Sequence, residues 1–144
     1  MKTVADTLRA KASQTVFSIS PDTTVFEALT LMEQTQVGAL LVIDGQELVG
    51  IVTERDYARK MVLKGRSSFV TPVREIMTKD VVTVTPSHSN QTCMELMTQG
   101  HLRHLPVLDQ GQVVGLLSIG DLVKGVIAEQ QHLIEHLEQY IRGQ

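Results

Sequence analysis

The chain has 144 residues, carries 13 basic against 16 acidic side chains, and has an apolar content close to that of ordinary globular proteins. This length allows a hydrophobic core, and the near-balance of charge, with few aromatic residues and no Trp, argues against a nucleic-acid-binding surface or a disordered acidic chain. Because there is one cysteine, no signal peptide and no apolar stretch long enough to span a membrane, we expect a cytoplasmic protein without an internal disulfide.

The first predicted elements recur later in the chain, because residues 15–56 realign without a gap on residues 80–121 at a constant offset of 65. Eleven of the 42 aligned positions are identical, and many of the others, above all in the predicted strands, exchange one apolar residue for another. Repeats of this kind usually need each other to bury a core. We therefore expect two copies of one supersecondary unit that pack side by side.

Each copy begins with a short alternating strand, at residues 16–19 or 81–84, followed by a turn containing proline and then a helix. One face of each helix is apolar: Val25, Ala28, Leu29 and Met32 in the first copy, and Cys93, Met94 and Met97 in the second. Cys93 occupies the position of Ala28, and no activating base is evident beside it. We interpret it as a small buried residue and not as a nucleophile.

A predicted hairpin and a second helix complete each copy. An apolar run predicts a strand buried on both faces, a turn follows, and a further apolar run predicts the partner strand. These three segments are residues 39–43, 44–47 and 48–52 in the first copy, and residues 105–108, 109–112 and 113–117 in the second. The second helix begins at Glu54 or at Ile119.

The pattern divides the chain into four parts: a first repeat with its N-terminal segment (1–64), a linker and lead-in (65–77), a second repeat (78–128) and a C-terminal helical extension (129–144). Towards the C-terminus, apolar residues keep a heptad-like spacing at Ile127, Ile134, Leu137 and Ile141. A narrow apolar stripe suits packing on another helix in a homodimer, and docking on the helix's own subunit is the open alternative.

The third strand of each copy ends in Gly, two apolar residues, a hydroxyl residue, two variable residues and Asp, at residues 50–56 and 115–121. The motif places Thr53 or Ser118 at a helix N-cap, with the aspartate three residues on, beside free backbone amides and the positive end of the helix dipole. Such a helix start can bind phosphate, and its carboxylate can accept two hydrogen bonds from a vicinal diol such as ribose.

A capping box, in which side chain and backbone only satisfy each other, is the alternative interpretation of this motif. Three features favour a ligand site. Capping boxes prefer Glu or Gln at the third helical position, whereas both copies have Asp. A glycine, which permits close backbone approach, precedes each hydroxyl residue by three positions. The repeat also predicts two equivalent pockets in one cleft.

The repeat, the element order and this motif, together with the segment Arg103-His104-Leu105-Pro106-Val107, resemble a tandem pair of CBS domains, the Bateman module. The resemblance implies a mixed α/β (α+β) fold of two β-α-β-β-α repeats related by a pseudo-twofold axis, plus a long C-terminal helix. It also implies a non-catalytic regulatory module that binds an adenosyl ligand (AMP, ADP, ATP, NAD or S-adenosylmethionine) in the cleft between the repeats, with no catalytic cofactor.

By this resemblance, Asp56 and Asp121 hold the ribose hydroxyls, Thr53 and Ser118 face phosphate, and the backbone entering each first strand flanks adenine. The expected site residues are Ser18, Ile19, Gly38, Ala39, Thr53, Arg55 and Asp56 for the first copy, and Lys79, Thr83, Val84, Arg103, His104, Leu105, Pro106, Ser118 and Asp121 for the second. Neither catalytic residues nor metal ligands are expected.

The two expected pockets differ in charge. The second copy has the pair Arg103-His104, which as two cations could hold phosphate, where the first has Gly38-Ala39. Arg55, whose counterpart is glycine, compensates in part. We expect the second-copy site to bind a phosphorylated nucleotide more tightly.

Two other functions are considered. One is a structural dimerisation module without a ligand, whose motifs only cap helices. The other is a metal-dependent hydrolase, because His132, Glu135 and His136 match the His-x-x-Glu-His pattern of some zinc peptidases. A catalytic zinc also needs a third protein ligand, and the motif lies among polar residues typical of a solvated helix face. For a regulatory module we expect an effector protein, which the sequence does not identify.

Overall fold

The computed structural model describes residues 2–11 and 15–143. Its helices are α1 (Val4–Ala10), α2 (Val25–Thr35), α3 (Glu54–Lys60), α4 (Asn90–Gly100) and α5 (Ile119–Ile141). Its strands are β1 (Ser18–Ile19), β2 (Ala39–Asp44), β3 (Glu47–Thr53), β4 (His104–Asp109) and β5 (Gln112–Ser118). Short 3-10 helices lie at Val62–Lys64 and Val73–Glu75. The predicted fold class, two repeats followed by a long C-terminal helix, is confirmed.

The two hairpins match residue by residue. Strand β2 pairs antiparallel with β3, and β4 pairs antiparallel with β5. Each pairing contains one register shift, between Val42 and Ile43 in the first repeat and between Val107 and Leu108 in the second. These positions are aligned by the sequence repeat, so the repeat extends to the irregularities of the backbone.

The first strands of the two repeats differ. Strand β1 runs parallel to β2, whereas the strand expected at residues 81–84 is reduced to a single parallel bridge between Val84 and Val107. In the first repeat the Leu41 amide donates to the Phe17 carbonyl at 3.2 Å. The aligned residue in the second repeat is Pro106, which has no amide hydrogen to donate. The expected pairing therefore stops one residue short.

Among the described residues, three apolar clusters form the core. One lies within the first repeat and one within the second. The third combines Ala39, Leu41 and Ile51 of the first repeat with Val113 and Leu116 of the second, so it joins the repeats. This shared cluster confirms that the two copies bury a core together.

The helix faces are largely as predicted. Val25, Ala28 and Met32 are buried in α2, as are Cys93 and Met97 in α4. Burial raises the pKa of the Cys93 thiol, in keeping with a packing residue. Met94 is the exception, because it lies 38% exposed and does not belong to the apolar face.

Each repeat is preceded by a lead-in segment, and each lead-in packs on the other repeat. The amides of Val4 and Ala5 donate to the carbonyls of His88 and Pro86, in the second repeat, at 2.9 and 3.0 Å. The corresponding bonds of the second lead-in go to the first repeat: the Val73 amide donates to Thr23 at 2.8 Å and the Arg74 amide to Pro21 at 3.1 Å. Although the sequence division groups the N-terminal segment with the first repeat, α1 packs on the second.

The C-terminal half of α5 extends away from the core. Leu122 is fully buried, whereas the four heptad-spaced residues are between 48% and 81% exposed. Within the described residues, the helix therefore does not dock on its own subunit through this stripe. None of the helices described combines the length and apolar character needed to cross a membrane.

Candidate functional site

Both repeated motifs form capping boxes. The Thr53 amide donates to Asp56 Oδ2 at 2.9 Å, and the Asp56 amide donates to Thr53 Oγ1 at 3.2 Å. The second repeat has the same reciprocal pair, with 2.8 Å from the Ser118 amide to Asp121 Oδ2 and 3.2 Å from the Asp121 amide to Ser118 Oγ. A carboxylate has about four acceptor positions, so these bonds leave capacity for a ligand.

Each aspartate also contacts a lysine, but the two lysines come from different places. Asp56 Oδ1 lies 3.1 Å from Lys60 Nζ, on the same helix. Asp121 Oδ2 lies 3.0 Å from Lys11 Nζ, which belongs to the segment after α1. Each ammonium also donates to a backbone carbonyl at 2.8 Å, Lys60 to Ile76 and Lys11 to Leu116.

Asp121 is held in its charged form. Burial raises the pKa of this carboxyl, but the backbone amide of Ser118 and the ammonium of Lys11 together outweigh burial and lower the pKa below its ordinary value of 3.8. A charged acceptor therefore lies at the N-terminus of α5 at neutral pH.

His104 lies opposite Ser118 in the β4–β5 ladder. Burial lowers the pKa of its imidazole; the carboxylate of Asp121 acts in the opposite direction, and the charges of Lys11 and Arg103 lower the pKa further. His104 is therefore mainly neutral at pH 7. The expectation of a cationic pair is wrong for the histidine, so of these two residues only the exposed Arg103 carries a positive charge.

A cavity of ≈580 Å³ lies between the second repeat, the N-terminal segment and the first repeat. This volume is within the range of small-molecule sites, about 300–1,000 Å³. Its lining residues are Lys2, Asp6, Thr7, Ala10, Lys11, Thr15, Phe17, Thr35, Gln36, Val37, Asp121, Lys124, Gly125 and Ala128. It brings Asp121 and three lysines together with an edge of the first repeat.

The other expected residues lie elsewhere. Gly38 lines a cavity of ≈450 Å³ on the first repeat, and Lys79 lines one of ≈620 Å³. Five are buried in the protein: Ala39, Asp56, Val84, Leu105 and Pro106. The partly or fully exposed ones are Ser18, Ile19, Thr53, Arg55, Thr83, Arg103, His104 and Ser118. Of all the expected residues, Asp121 alone lines the ≈580 Å³ cavity in the described part of the chain.

The sequence analysis missed the lysines of this cavity. Lys2 and Lys11 lie outside the aligned repeat, so the offset of 65 gives them no counterpart. A weaker signal was present in the lead-ins, where Val4 and Leu8 match the spacing of Val73 and Met77. That match would have predicted that the N-terminal segment packs as the second lead-in does.

The His-x-x-Glu-His motif does not form a metal site in the described part of the chain. His132, Glu135 and His136 are exposed on α5. Across residues 2–11 and 15–143, no group of three or more His, Cys, Asp or Glu residues is placed to hold a metal ion.

Comparison with known proteins identifies the family. The family model of the CBS domain matches residues 8–63 and 73–128. The mitochondrial CBS domain-containing protein CBSX3 of Arabidopsis thaliana is 40% identical over 149 aligned residues, which cover 98% of this chain and 72% of the relative.

Solved structures show the same arrangement. A protein with CBS domains from Burkholderia ambifaria MC40-6 superposes with a TM-score of 0.86 and 54% identity, covering 90% of this chain and 96% of the other. CBSX2, whose structure is a complex with AMP, superposes with a TM-score of 0.73 and 26% identity, covering 90% and 99%. With both repeats matched by the family model, this chain belongs to the CBS domain family and carries two CBS domains in tandem.

Proposed function

We propose that this protein is a non-catalytic regulatory module that binds an adenine nucleotide in the cavity around Asp121. One observation carries the proposal: a charged carboxylate at a helix N-terminus lies in a cavity lined by both repeats and by three lysines. The similarity to CBSX2, which binds AMP in its structure, supports an adenine nucleotide as the ligand class.

The chemistry of the cavity suits such a ligand. Asp121 accepts hydroxyl hydrogen bonds from ribose, while its own cap keeps the carboxylate oriented. Lys11 and Lys124 offer cations for phosphate. In the first repeat, Asp56, Thr53 and Arg55 form the equivalent helix start, which we propose as a second and weaker site.

Because residues of both repeats line the cavity, ligand binding is coupled to the arrangement of the repeats. A ligand that contacts both repeats favours the arrangement in which those contacts form, and it shifts that equilibrium only by its differential affinity for the two states. We propose that an effector protein detects this shift, and that a homodimer formed through the exposed stripe of α5 transmits it.

Isothermal titration with AMP, ATP, NAD and S-adenosylmethionine tests the proposal, using Asp121→Asn and Asp56→Asn as the informative variants. Asparagine keeps an oxygen for the cap but removes the charge. We expect the Asp121→Asn variant to weaken nucleotide binding at least about tenfold, the loss of one charge-assisted hydrogen bond. Thr24→Ala is the control, because it removes the N-cap of α2 without touching the cavity. Equal affinity in all variants would contradict the site.

A structural dimerisation module is the second candidate. Both capping boxes are complete, and α5 presents exposed apolar residues that a second helix could cover. If none of the four ligands gives heat or raises the melting temperature, and sedimentation shows a dimer that substitution of Ile134 and Leu137 dissociates, this candidate replaces the first.

A further inference from the structure

The carboxylate that we propose for ribose already has a cationic partner, Lys11. The Lys11 ammonium lies 3.0 Å from Asp121 Oδ2 and donates to the Leu116 carbonyl at 2.8 Å. Its side chain is 24% exposed, against 42% for Lys60 beside Asp56. A ribose that takes hydrogen bonds from Asp121 must therefore compete with a partly buried ammonium.

A second feature, an unpaired amide, lies beside this cavity. The Asn90 side chain is 5% exposed, its Oδ1 accepts a hydrogen bond from Thr7 Oγ1 at 2.9 Å, and its Nδ2 has no partner in the described part of the chain. Thr7 and Gly125 line the cavity. A Cβ added at Gly125 would lie 3.5 Å from Asn90 Nδ2, so this buried donor lies next to a residue that lines the cavity. A buried donor without an acceptor is unfavourable, so a ligand acceptor that reached Nδ2 would be favoured.

We propose that Lys11 makes this site selective for phosphorylated ligands, by moving from Asp121 to the ligand phosphate when the ribose occupies Asp121. The inference rests on the proposed function. A nucleoside without phosphate displaces Lys11 and leaves a partly buried ammonium without an anionic partner, which is unfavourable. A nucleotide provides that partner. Lysine suits the exchange because its charge sits at the end of a flexible four-carbon stem.

The test compares the affinities of AMP and adenosine, measured by titration calorimetry, in the wild type and in Lys11→Met. We expect the wild type to bind AMP about tenfold or more tightly than adenosine. In Lys11→Met we expect AMP to weaken about tenfold, while adenosine binds as well as before or better because Asp121 is released. Lys60→Met is the matched control, since it removes the equivalent lysine of the first repeat. At the Asp121 site of this variant, the ratio of the two affinities should stay as in the wild type.

Further variants separate selectivity from folding. Lys11→Gln can still donate to the Leu116 carbonyl, so it keeps the local structure if methionine does not, and it should show the same loss of AMP affinity. Lys11→Arg should retain preference for AMP. Equal weakening of AMP and adenosine, or an unchanged ratio in both Lys11→Met and Lys11→Gln, overturns the role of Lys11 and leaves the proposed function intact. Absence of binding of either ligand to the wild type overturns both.

Discussion

Asp56 and Asp121 stand at aligned positions of the two repeats, and each ends the same capping motif, yet their cations are supplied differently. Asp56 is paired by Lys60 from its own helix, whereas Asp121 is paired by Lys11, which lies 110 residues earlier in the chain. The first helix start is self-contained. The second depends on a segment outside the repeat, so a duplicated backbone can still have two different electrostatic environments.

The same contrast continues along the strands beside the motifs. Opposite Ser118 stands His104, where the first repeat has Ala39 opposite Thr53. In the lead-ins, Leu8 packs on Gly115 and Met77 on Gly50. Single substitutions can place the residue of one repeat in the other, or remove one of these contacts, and so test the comparison.

The largest effect on stability is expected at Gly50 and Gly115, which occupy aligned positions of the two repeats. A Cβ at Gly50 would lie 2.6 Å from Met77 Sδ and 3.0 Å from the Thr78 carbonyl oxygen, which is backbone. At Gly115 the three atoms nearest to an added Cβ all belong to the Leu8 side chain, the closest at 2.7 Å. We expect Gly50→Ala to lower the free energy of unfolding by about 3 kcal/mol and Gly115→Ala by about 1–2 kcal/mol. Urea unfolding followed by circular dichroism measures both, since the chain has no Trp.

Double variants check the cause of these losses. Leu8→Ala combined with Gly115→Ala should cost less than the sum of the single variants, because the smaller partner makes room. Met77→Ala should relieve Gly50→Ala only in part, since the Thr78 carbonyl remains in place. Strict additivity in the second repeat would show that Leu8 does not set the need for glycine at position 115.

The next effect is a pH dependence of stability caused by His104, whose aligned residue in the first repeat, Ala39, cannot titrate. The pKa of His104 is lowered on folding, mainly by burial, so the unfolded chain binds a proton more readily than the folded one. Stability should therefore fall as the pH drops below the unfolded value of about 6.5. Asp121 responds in a separate window, because its pKa lies below 3.8 and its stabilisation is lost only under strong acid.

His104→Ala installs the residue of the first repeat and should remove this loss of stability between about pH 6.5 and about pH 5. The measurement is the urea midpoint at several pH values. His101→Gln, which also installs the first-repeat residue but at an exposed position, is the control and should keep the wild-type profile. An unchanged profile in His104→Ala would show that His104 is not the titrating group.

The sequence predicted the repeated part of this fold well, for a physical reason. Strands β2 to β5 and helices α2 and α4 arise from apolar periodicity, which is local and was present twice in register. The shortened first strand of the second repeat depends on Pro106, whose missing amide hydrogen matters only once its partner strand is known. Helix α1 was missed because it lies outside the repeat, although Thr3 and Asp6 form a capping box there.

The candidate site was predicted less completely. The position of Asp121 followed from the motif, since a helix start can be recognised locally. Its contact with Lys11 could not be predicted, because a pair so distant in sequence is brought together only by the exchanged lead-ins. The neutral state of His104 was missed for a similar reason: burial by other elements decides its pKa.

The smallest effect is the difference in stability between the two ion pairs. Lys60 is 42% exposed, so water screens its pair with Asp56, and Lys60→Met should change the free energy of unfolding by less than about 0.5 kcal/mol. Lys11 is more buried, and its removal leaves Asp121 Oδ2 with a cap hydrogen bond but no cation, so Lys11→Met should cost about 1 kcal/mol. Asp121→Asn in the Lys11→Met background should add less than it does alone, because the charge that it removes has already lost its partner. Equal costs for the two lysine variants would mean that the origin of the cation, from within the repeat or from outside it, makes no difference to folding, and would confine the asymmetry of the two helix starts to ligand binding.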